Sequence, residues 1–539
     1  MSGRSVGDWG PGRKAALLLF LITLVGVVLR LIRYGEPVTG DELSTLWIVT
    51  NNGLGGTVEL VRGDAEITPP LSFILSWFAV QLGSAPELIR LPSLLAGIAA
   101  IPLTCLLGVK TVGLRAGLVG AAVMALSPYL TYFSANGRGY TVLILLLLGS
   151  TLTMLKADET GRVRWWVAYA VLSCLAMYSH YTAVFILLAQ FLWLFFLRTE
   201  SRKASVIACA GAALFYLPWI PGLRADLDSP SQPILEALQG DGFGAKRDAV
   251  IQWVIGRDYL APADVPGKLV LVVVSVTLVV ALAMAVRKVW LDRNDGQEKV
   301  GRSLPIAPGL LLVLMIALAA PVCELLLQLA GTDIFGSRNV AASWYGLALA
   351  MGAVLTLPGG AVTAVAVTLV LGGYGVASVT ALGEDKEVVD FRAAASQIEE
   401  EAEPGDVVVD MYGVLATPVP LTPLAAYLDP DLERFEIGLP KSPPPNIPGQ
   451  TDVTPAQQEL REAFREAEGG KVHLLTIPRI TTIDDGEESG RSVKQVTVEG
   501  QSVLLPESAT VTEVEELPGF LPARLYTIEV SRPGRQVLK

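Results

Sequence analysis

Asp41 and Glu42 are adjacent carboxylates in the stretch GEPVTGDELSTLW (residues 35–47), just beyond the first long apolar run of the chain. A carboxylate near neutral pH can act as a general base, taking the proton from an attacking hydroxyl. Asp64 and Glu66 follow in the same polar stretch. Arginines recur near the ends of later apolar runs: Arg90 in ELIRLPS, Arg138 in SPYLTYFSANGRGYTVL with Tyr140 two residues on, and Arg338 in DIFGSRNVAAS. A guanidinium holds a phosphate by paired, charge-assisted hydrogen bonds. His180, in MYSHYTAVF, lies at another such turn. Glycoside hydrolysis by inversion needs a second, protonated carboxyl. Departure of a phosphate removes that need, so one base and several cations suffice. The set fits a sugar moving from a lipid phosphate to a hydroxyl acceptor.

The elements that position these residues are membrane spans. Of 539 residues, 52% are hydrophobic and 17% charged, with mean hydropathy +0.50. A soluble protein would carry about a quarter charged residues, and a bilayer-spanning helix needs about 20 apolar ones. Candidate spans fall at 14–33, 88–109, 115–135, 138–156, 165–180, 181–197, 204–220, 267–287, 304–330, 339–357 and 361–381. The loops KTVGLR (110–115), KADETGRVR (156–164), RTESRK (198–203) and RKVWLDRNDGQEKVGR (287–302) hold most of the Lys and Arg between them. The positive-inside rule makes these loops cytoplasmic. Eleven spans with the N-terminus inside satisfy all four and place the C-terminal tail outside. Arg13 and Lys14 precede the first run, and no small-x-small cleavage site follows it, so it reads as a retained signal-anchor. The run PPLSFILSWFAVQLG (69–83) is too short to span and reads as a re-entrant or interfacial helix. Arg30 and Arg33 read as interfacial anchors, since long basic side chains near a span end snorkel to the headgroups.

Two extracytoplasmic loops result, 34–87 and 221–266, within a membrane part covering 1–383; the soluble part is 384–539. That part holds 29 of the 52 acidic and 14 of the 41 basic residues, leaving 23 and 27 before it. An acidic tail argues against nucleic acid as a partner, because phosphate binding relies on Lys and Arg. Its pattern, from DFRAAASQIEEEAEPGDVVVDMYG through PAQQELREAFREAEGGKVHLLTI to RLYTIEVSR, alternates helix and strand and predicts a small α/β domain. The Pro-rich stretch 440–455 reads as a loop, and the acidic run 399–403 as a solvated helix face. Cys105, Cys174, Cys209 and Cys323 all fall in apolar runs, as small buried hydrophobes.

The order of GDE after the first span, then PPL, RLPS, SP…GRGY and a late SRN resembles the GT-C superfamily of glycosyltransferases. The similarity is to the protein-mannosyltransferase and aminoarabinose-transferase group with its bacterial RgtA/B/C/D-like relatives, over residues 10–390. It implies a polytopic α-helical GT-C fold of about eleven spans, followed by a C-terminal α/β extracytoplasmic domain. It also implies an enzyme of the cytoplasmic (inner) membrane that uses a polyprenyl-phosphate-linked sugar donor. Asp41 would be the catalytic base and Glu42 the neighbour that orients the acceptor or tunes the base. Arg90, Arg138 and Tyr140 would shape the donor pocket, with Arg338 near the lipid phosphate; Glu66, matching an acidic position just before the paired prolines, and His180 at its outward turn are candidates for the acceptor side or the pocket. Thr68 departs from the pattern, standing where many relatives have His or Lys. The acceptor, whether lipid, polysaccharide or protein, is not implied, and neither is the sugar.

Plainer readings stand beside these. Asp41 and Glu42 would also suit solvated loop residues, or an N-cap with first-turn acid for a helix starting near Leu43; Arg90, Arg138 and Arg338 would suit interfacial anchors, and His180 a hydrogen-bonded interior residue. No cofactor is evident and no metal site is assigned, although Asp41, Glu42 and Glu66 could hold a divalent cation. The pair Asp226 and Asp228 does not read as a nucleotide-sugar motif, because its loop faces outward. The alternative function is a transporter or flippase of a lipid-linked saccharide. That function expects ionisable groups near the bilayer midplane, where Glu324 is the exception to otherwise apolar spans.

Overall fold

The computed structural model describes residues 12–38, 40–63, 66–229, 242–256, 267–294, 307–382, 389–411, 421–437, 455–476, 481–484, 495–498, 501–504, 509–517 and 523–531. Asp64, residues 230–241 and 257–266 of the second loop, and 440–454 of the Pro-rich stretch lie outside the described residues. The chain divides into two compact units. One comprises 1–35, 48–84 and 88–382; the other comprises 36–47, 85–87 and 383–539. The second unit thus takes in two short segments that precede the tail.

The first unit is helical. Eight helices among the described residues are long and apolar enough to cross a membrane, nine if the bent pair Leu114–Leu126 and Pro128–Ser134 is one span. Leu17, Phe20, Leu24, Val28 and Leu31 on the first helix, Arg13–Tyr34, are exposed, as lipid-facing residues would be. The two remaining sequence-assigned spans correspond to Val163–Ser179 and Ala183–Leu197, of 17 and 15 residues. At 1.5 Å per residue they measure about 25 Å or less, short of a hydrocarbon core of about 30 Å. They are consecutive, so counting or omitting both leaves the parity of the other spans unchanged. The segment read as re-entrant or interfacial is a ten-residue helix, Leu71–Val80, about 15 Å long and unable to span.

The bent pair corrects one sequence reading. Ser127 and Pro128 break the helix by 62°; Pro128 has no N–H to give and starts the next helix, while the Ser127 hydroxyl caps it by accepting from Leu130 N at 3.2 Å. A helix end leaves carbonyls without partners, and a bilayer interior has no water to supply them. Arg30 supplies them here. Its Nη1 donates to Ala125 O at 3.2 Å and Gly26 O at 3.0 Å, its Nη2 to Met124 O at 3.0 Å, and its Nε to Ser134 Oγ at 3.0 Å. Ser378 Oγ donates to Leu126 O at 2.6 Å. Arg30 is wholly buried, so it is no snorkelling anchor. Arg33 is likewise buried, donating to Ala381 O at 3.1 Å at the end of helix Gly360–Ala381, with its guanidinium 4.9 Å from the Tyr132 ring centroid. Gly97 makes this approach feasible: a Cβ there would lie 2.1 Å from Ser134 Oγ.

The second unit holds the predicted helix–strand alternation. Asp390 caps helix Phe391–Glu401 by accepting from Ala393 N at 3.0 Å, and strand β1 (Val407–Met411) follows. With β2 (Glu433–Ile437), β3 (Lys471–Thr476), β7 (Ala509–Leu517) and β8 (Ala523–Val530) it forms a sheet of order β2-β1-β3-β8-β7. The pairs β1–β2 and β1–β3 are parallel, while β3–β8 and β7–β8 are antiparallel. β1 is buried along its length, as a central strand should be, against the apolar faces of Phe391–Glu401 and the helix Pro455–Glu466. β4 (Thr481–Asp484), β5 (Gln495–Val498) and β6 (Gln501–Leu504) make a separate antiparallel sheet.

Two predictions follow from these contacts. Arg30→Met frees the Met124 and Ala125 carbonyls and should lower stability by about 3 kcal/mol or more, read as a fall in the melting temperature in detergent. An unchanged melt would mean that these bonds do not hold the break. In the sheet, burial pushes the Asp410 carboxyl from 3.8 up to about 7, reinforced by Glu436 across β1–β2 and opposed by the Thr422 hydroxyl bond and Arg434. Between those values the folded state keeps a proton that the unfolded state has released, so stability is lost as pH rises from about 4 through 7. The opening free energy of β1, from amide exchange corrected for intrinsic rates, should fall over that window by an amount on the order of 4 kcal/mol. In Asp410→Asn the dependence should be flat.

Candidate functional site

In the second unit, Gly40 adopts φ +56°, a left-handed turn that suits glycine, and helix Asp41–Thr50 begins directly after it, with Gly40 O accepting from Leu43 N at 3.1 Å. Both carboxylates therefore sit in the first turn, two residues earlier than the sequence reading placed the helix start, and favourable to the helix dipole. They differ in exposure. Asp41 is open to solvent, whereas Glu42 is 3% exposed. Three residues before Asp41, the backbone N–H of buried Val38 donates to Tyr427 Oη at 2.6 Å. Tyr427 Oη donates in turn to Glu87 Oε1 at 2.8 Å, and Arg392 forms an ion pair with the same oxygen.

In the first unit the structure joins Glu66 and Arg138. Arg138 Nη1 donates to Glu66 Oε1 at 2.9 Å and Nη2 to Oε2 at 2.8 Å, a fork-to-fork pair in which both side chains are 11% exposed. The Arg138 guanidinium also lies 5.6 Å from the Phe73 ring centroid. The turn carrying Arg138 is pinned from several sides. Ser93 Oγ donates to Arg138 O at 2.8 Å, Ser179 Oγ to Gly139 O at 3.1 Å, and Thr141 Oγ1 to Ser93 O at 2.8 Å. Arg90 is 3% exposed, and its Nη1 donates to Tyr34 O at 2.9 Å, closing the end of helix Arg13–Tyr34. Guanidiniums this buried do not fit interfacial snorkelling.

Tyr140 and His180 are also brought together, ring centroids 5.4 Å apart. The Thr182 backbone N–H donates to His180 Nδ1 at 3.3 Å, which places the proton of a neutral ring on Nε2. The charges of Arg138 and Arg338 both act on this ring. An aromatic row runs from His180 through Tyr140, Phe133 and Tyr129 to Trp344, with successive centroids 4.6 to 5.9 Å apart beyond Tyr140. At its far end Tyr129 Oη donates to Ser337 O at 2.8 Å, beside half-buried Arg338. Sequence reasoning missed Phe73, Phe133, Tyr129 and Trp344. The SP…GRGY stretch contains two of them, but aromatic residues in a span are also ordinary core. Lys246 was missed as well: its Nζ pairs with Asp333 Oδ1 at 2.6 Å. Glu324 is fully buried in helix Pro308–Leu329. Among the described residues no group of three or more His, Cys, Asp or Glu could hold a metal ion.

Residues 68–223 match the family model for Dolichyl-phosphate-mannose-protein mannosyltransferase. The match takes in Arg90, Arg138, Tyr140 and His180; Asp41, Glu42, Glu66 and Arg338 lie outside it. No curated protein matches the chain. Among solved structures, the chain is similar to the apo oligosaccharyltransferase of Archaeoglobus fulgidus, at 12% identity and TM-score 0.45 over 72% of this chain and 58% of that one. It is also similar to ArnT from Cupriavidus metallidurans bound to undecaprenyl phosphate, at 13% identity and TM-score 0.39 over 96% and 98%. A third likeness is to AglB from Archaeoglobus fulgidus in complex with an inhibitory peptide and a dolichol-phosphate, at 15% identity and TM-score 0.42 over 73% and 58%. The chain thus spans little more than half the length of the archaeal enzyme. The family match agrees with the GT-C resemblance of the sequence motifs.

The Glu66–Arg138 pair is testable by a double-mutant cycle. Glu66→Ala leaves a buried guanidinium without its carboxylate and should destabilise by about 3 kcal/mol, much of it recovered in Glu66→Ala/Arg138→Met. A coupling energy below about 0.5 kcal/mol, measured by melting in detergent, would remove the pair as a structural unit.

Proposed function

We propose that this multi-pass membrane protein is an inverting glycosyltransferase that moves a sugar from a polyprenyl-phosphate donor to a hydroxyl acceptor on the outer face of the cytoplasmic membrane. The N-terminus would be cytoplasmic and the C-terminal domain extracytoplasmic. The observation that carries this reading is the family match over 68–223. The exposure of Asp41 beside buried Glu42 supports the choice of base.

In the proposed step the Asp41 carboxylate takes the acceptor hydroxyl proton as the oxygen attacks the anomeric carbon. The bond from that carbon to the phosphate oxygen breaks, and polyprenyl phosphate leaves with the electron pair. The donor phosphodiester carries one negative charge and the departing monoester close to two, so cations at the phosphate bind the products of bond breaking better than the donor. That is the differential stabilisation catalysis requires. Arg138, held flat by Glu66, and Arg338 are the cations proposed for that task, with Arg90 supporting the donor side. Tyr140 and His180 would contribute an aromatic face and an Nε2–H donor to the sugar.

The test is release of polyprenyl phosphate from a panel of labelled polyprenyl-phosphate sugars, by purified protein in liposomes with membrane-extract acceptors. Wild type should turn over one donor, and Asp41→Asn should lose about 10²-fold or more of that rate. Equal turnover by both proteins would remove Asp41 as base. Movement of donor between leaflets without cleavage would favour a transporter, for which fully buried Glu324 supplies the intramembrane carboxylate.

A further inference from the structure

The second unit contains the Asp41 segment, Glu36–Trp47, together with the C-terminal domain, and a small polar cluster bridges the two. Tyr427 is its centre. Its phenol oxygen accepts from Val38 N at 2.6 Å and donates to Glu87 Oε1 at 2.8 Å, using both kinds of hydrogen-bonding capacity a phenol has. Glu87 is 8% exposed, and the same oxygen receives Arg392, whose guanidinium lies 5.4 Å from the Tyr427 ring centroid. Tyr427 and Arg392 are fixed from within the domain. Arg392 is in the first turn of helix Phe391–Glu401, capped by Asp390. The loop carrying Tyr427 is tied to that helix by Asp429 N donating to Glu399 Oε1 at 2.7 Å, with Leu424 and Leu428 buried beneath it.

Val38 stands three residues before Asp41, and three residues reach at most about 10 Å. The turn at Gly40 and the start of the helix therefore depart from a point that the C-terminal domain sets. We infer that Tyr427 and Arg392 are positioning residues for Asp41, and that holding this segment is a function of the C-terminal domain. The inference rests on the proposal that Asp41 is the base. A base must sit within hydrogen-bond reach of the acceptor hydroxyl, and a displacement of about 1 Å can cost about 10²-fold in rate.

The experiment uses full-length protein in liposomes, as wild type, Tyr427→Phe, Arg392→Gln and Arg392→Lys, with the labelled donor that wild type turns over. Transfer kinetics are paired with amide exchange. Tyr427→Phe should lower kcat by about 10- to 100-fold with donor KM unchanged. Exchange should speed up in the described residues of Glu36–Trp47 while β1 and β3 keep their protection. Arg392→Gln should do the same more weakly, and Arg392→Lys should restore most of the rate. Wild-type kcat in Tyr427→Phe, or unchanged exchange in the segment, overturns the positioning role. So does equal loss of protection in β1 and β3, which would make Tyr427 a residue that merely folds the domain. Absence of donor turnover by wild type overturns the transferase reading itself, and the exchange data then show separately whether the domain holds the segment.

Discussion

A carbonyl that leaves its helix inside a bilayer finds no water, and the break at Ser127 releases several at once. Everything carried by the following turns depends on how they are satisfied. Arg30 reaches across from the first helix to Met124 O and Ala125 O on one side of the break and to Ser134 Oγ on the other, while Ser378 takes Leu126 O. One guanidinium thus fixes both arms of the bend. A wholly desolvated cation would be costly alone, but here it is matched by four acceptors, and hydrogen bonds gain strength in a low dielectric. The short helix Pro128–Ser134 then presents Tyr129 and Phe133 to the aromatic row and leads within four residues to Arg138.

Arg138 shows how the fold turns a mobile side chain into an oriented one. Its backbone is pinned by Ser93 and its neighbour Gly139 by Ser179, and Glu66 takes both terminal nitrogens in the plane of the guanidinium. An arginine in water loses about 2 kcal/mol of rotamer freedom when it is fixed. Here that loss is met during folding. Pre-orientation of this kind raises affinity without adding a contact. In the proposed role of Arg138, a donor phosphate would share the cation with the Glu66 carboxylate.

Local pattern made the helices legible and long-range pairing was beyond it. Hydropathy located every helix among the described residues that is long and apolar enough to cross a membrane, though not Gly242–Ile255 in the second loop, and alternation in the tail located the helix–strand units, because both are short-range periodicities. The bend was foreshadowed by Ser127–Pro128, yet an apolar run of the right length hid it. Arg30 and Arg33 were misread because a basic residue near a span end has two stable solutions, outward to headgroups or inward to carbonyls. Which one holds depends on Met124, Ala125 and Ala381, all more than ninety positions away. Glu66 with Arg138 and Glu87 with Tyr427 are pairs of the same kind, 72 and 340 positions apart. Site residues could be nominated by type and place from the sequence; their partners could not.

The acidic pair is decided by helix geometry. Consecutive residues on an α-helix point about 100° apart, so Asp41 and Glu42, once in the first turn, cannot face the same way. In this helix Glu42 is buried and Asp41 is exposed. A two-carboxylate inverting mechanism needs carboxyls about 6.5–9.5 Å apart, facing one bond from opposite sides. Neighbours diverging from a single turn do not make that arrangement. In the proposed reaction one carboxylate contacts the acceptor, and the phosphate leaves without needing a proton. The exposure of Asp41 beside buried Glu42 thus accords with the proposed transfer, in which a single carboxylate meets the acceptor.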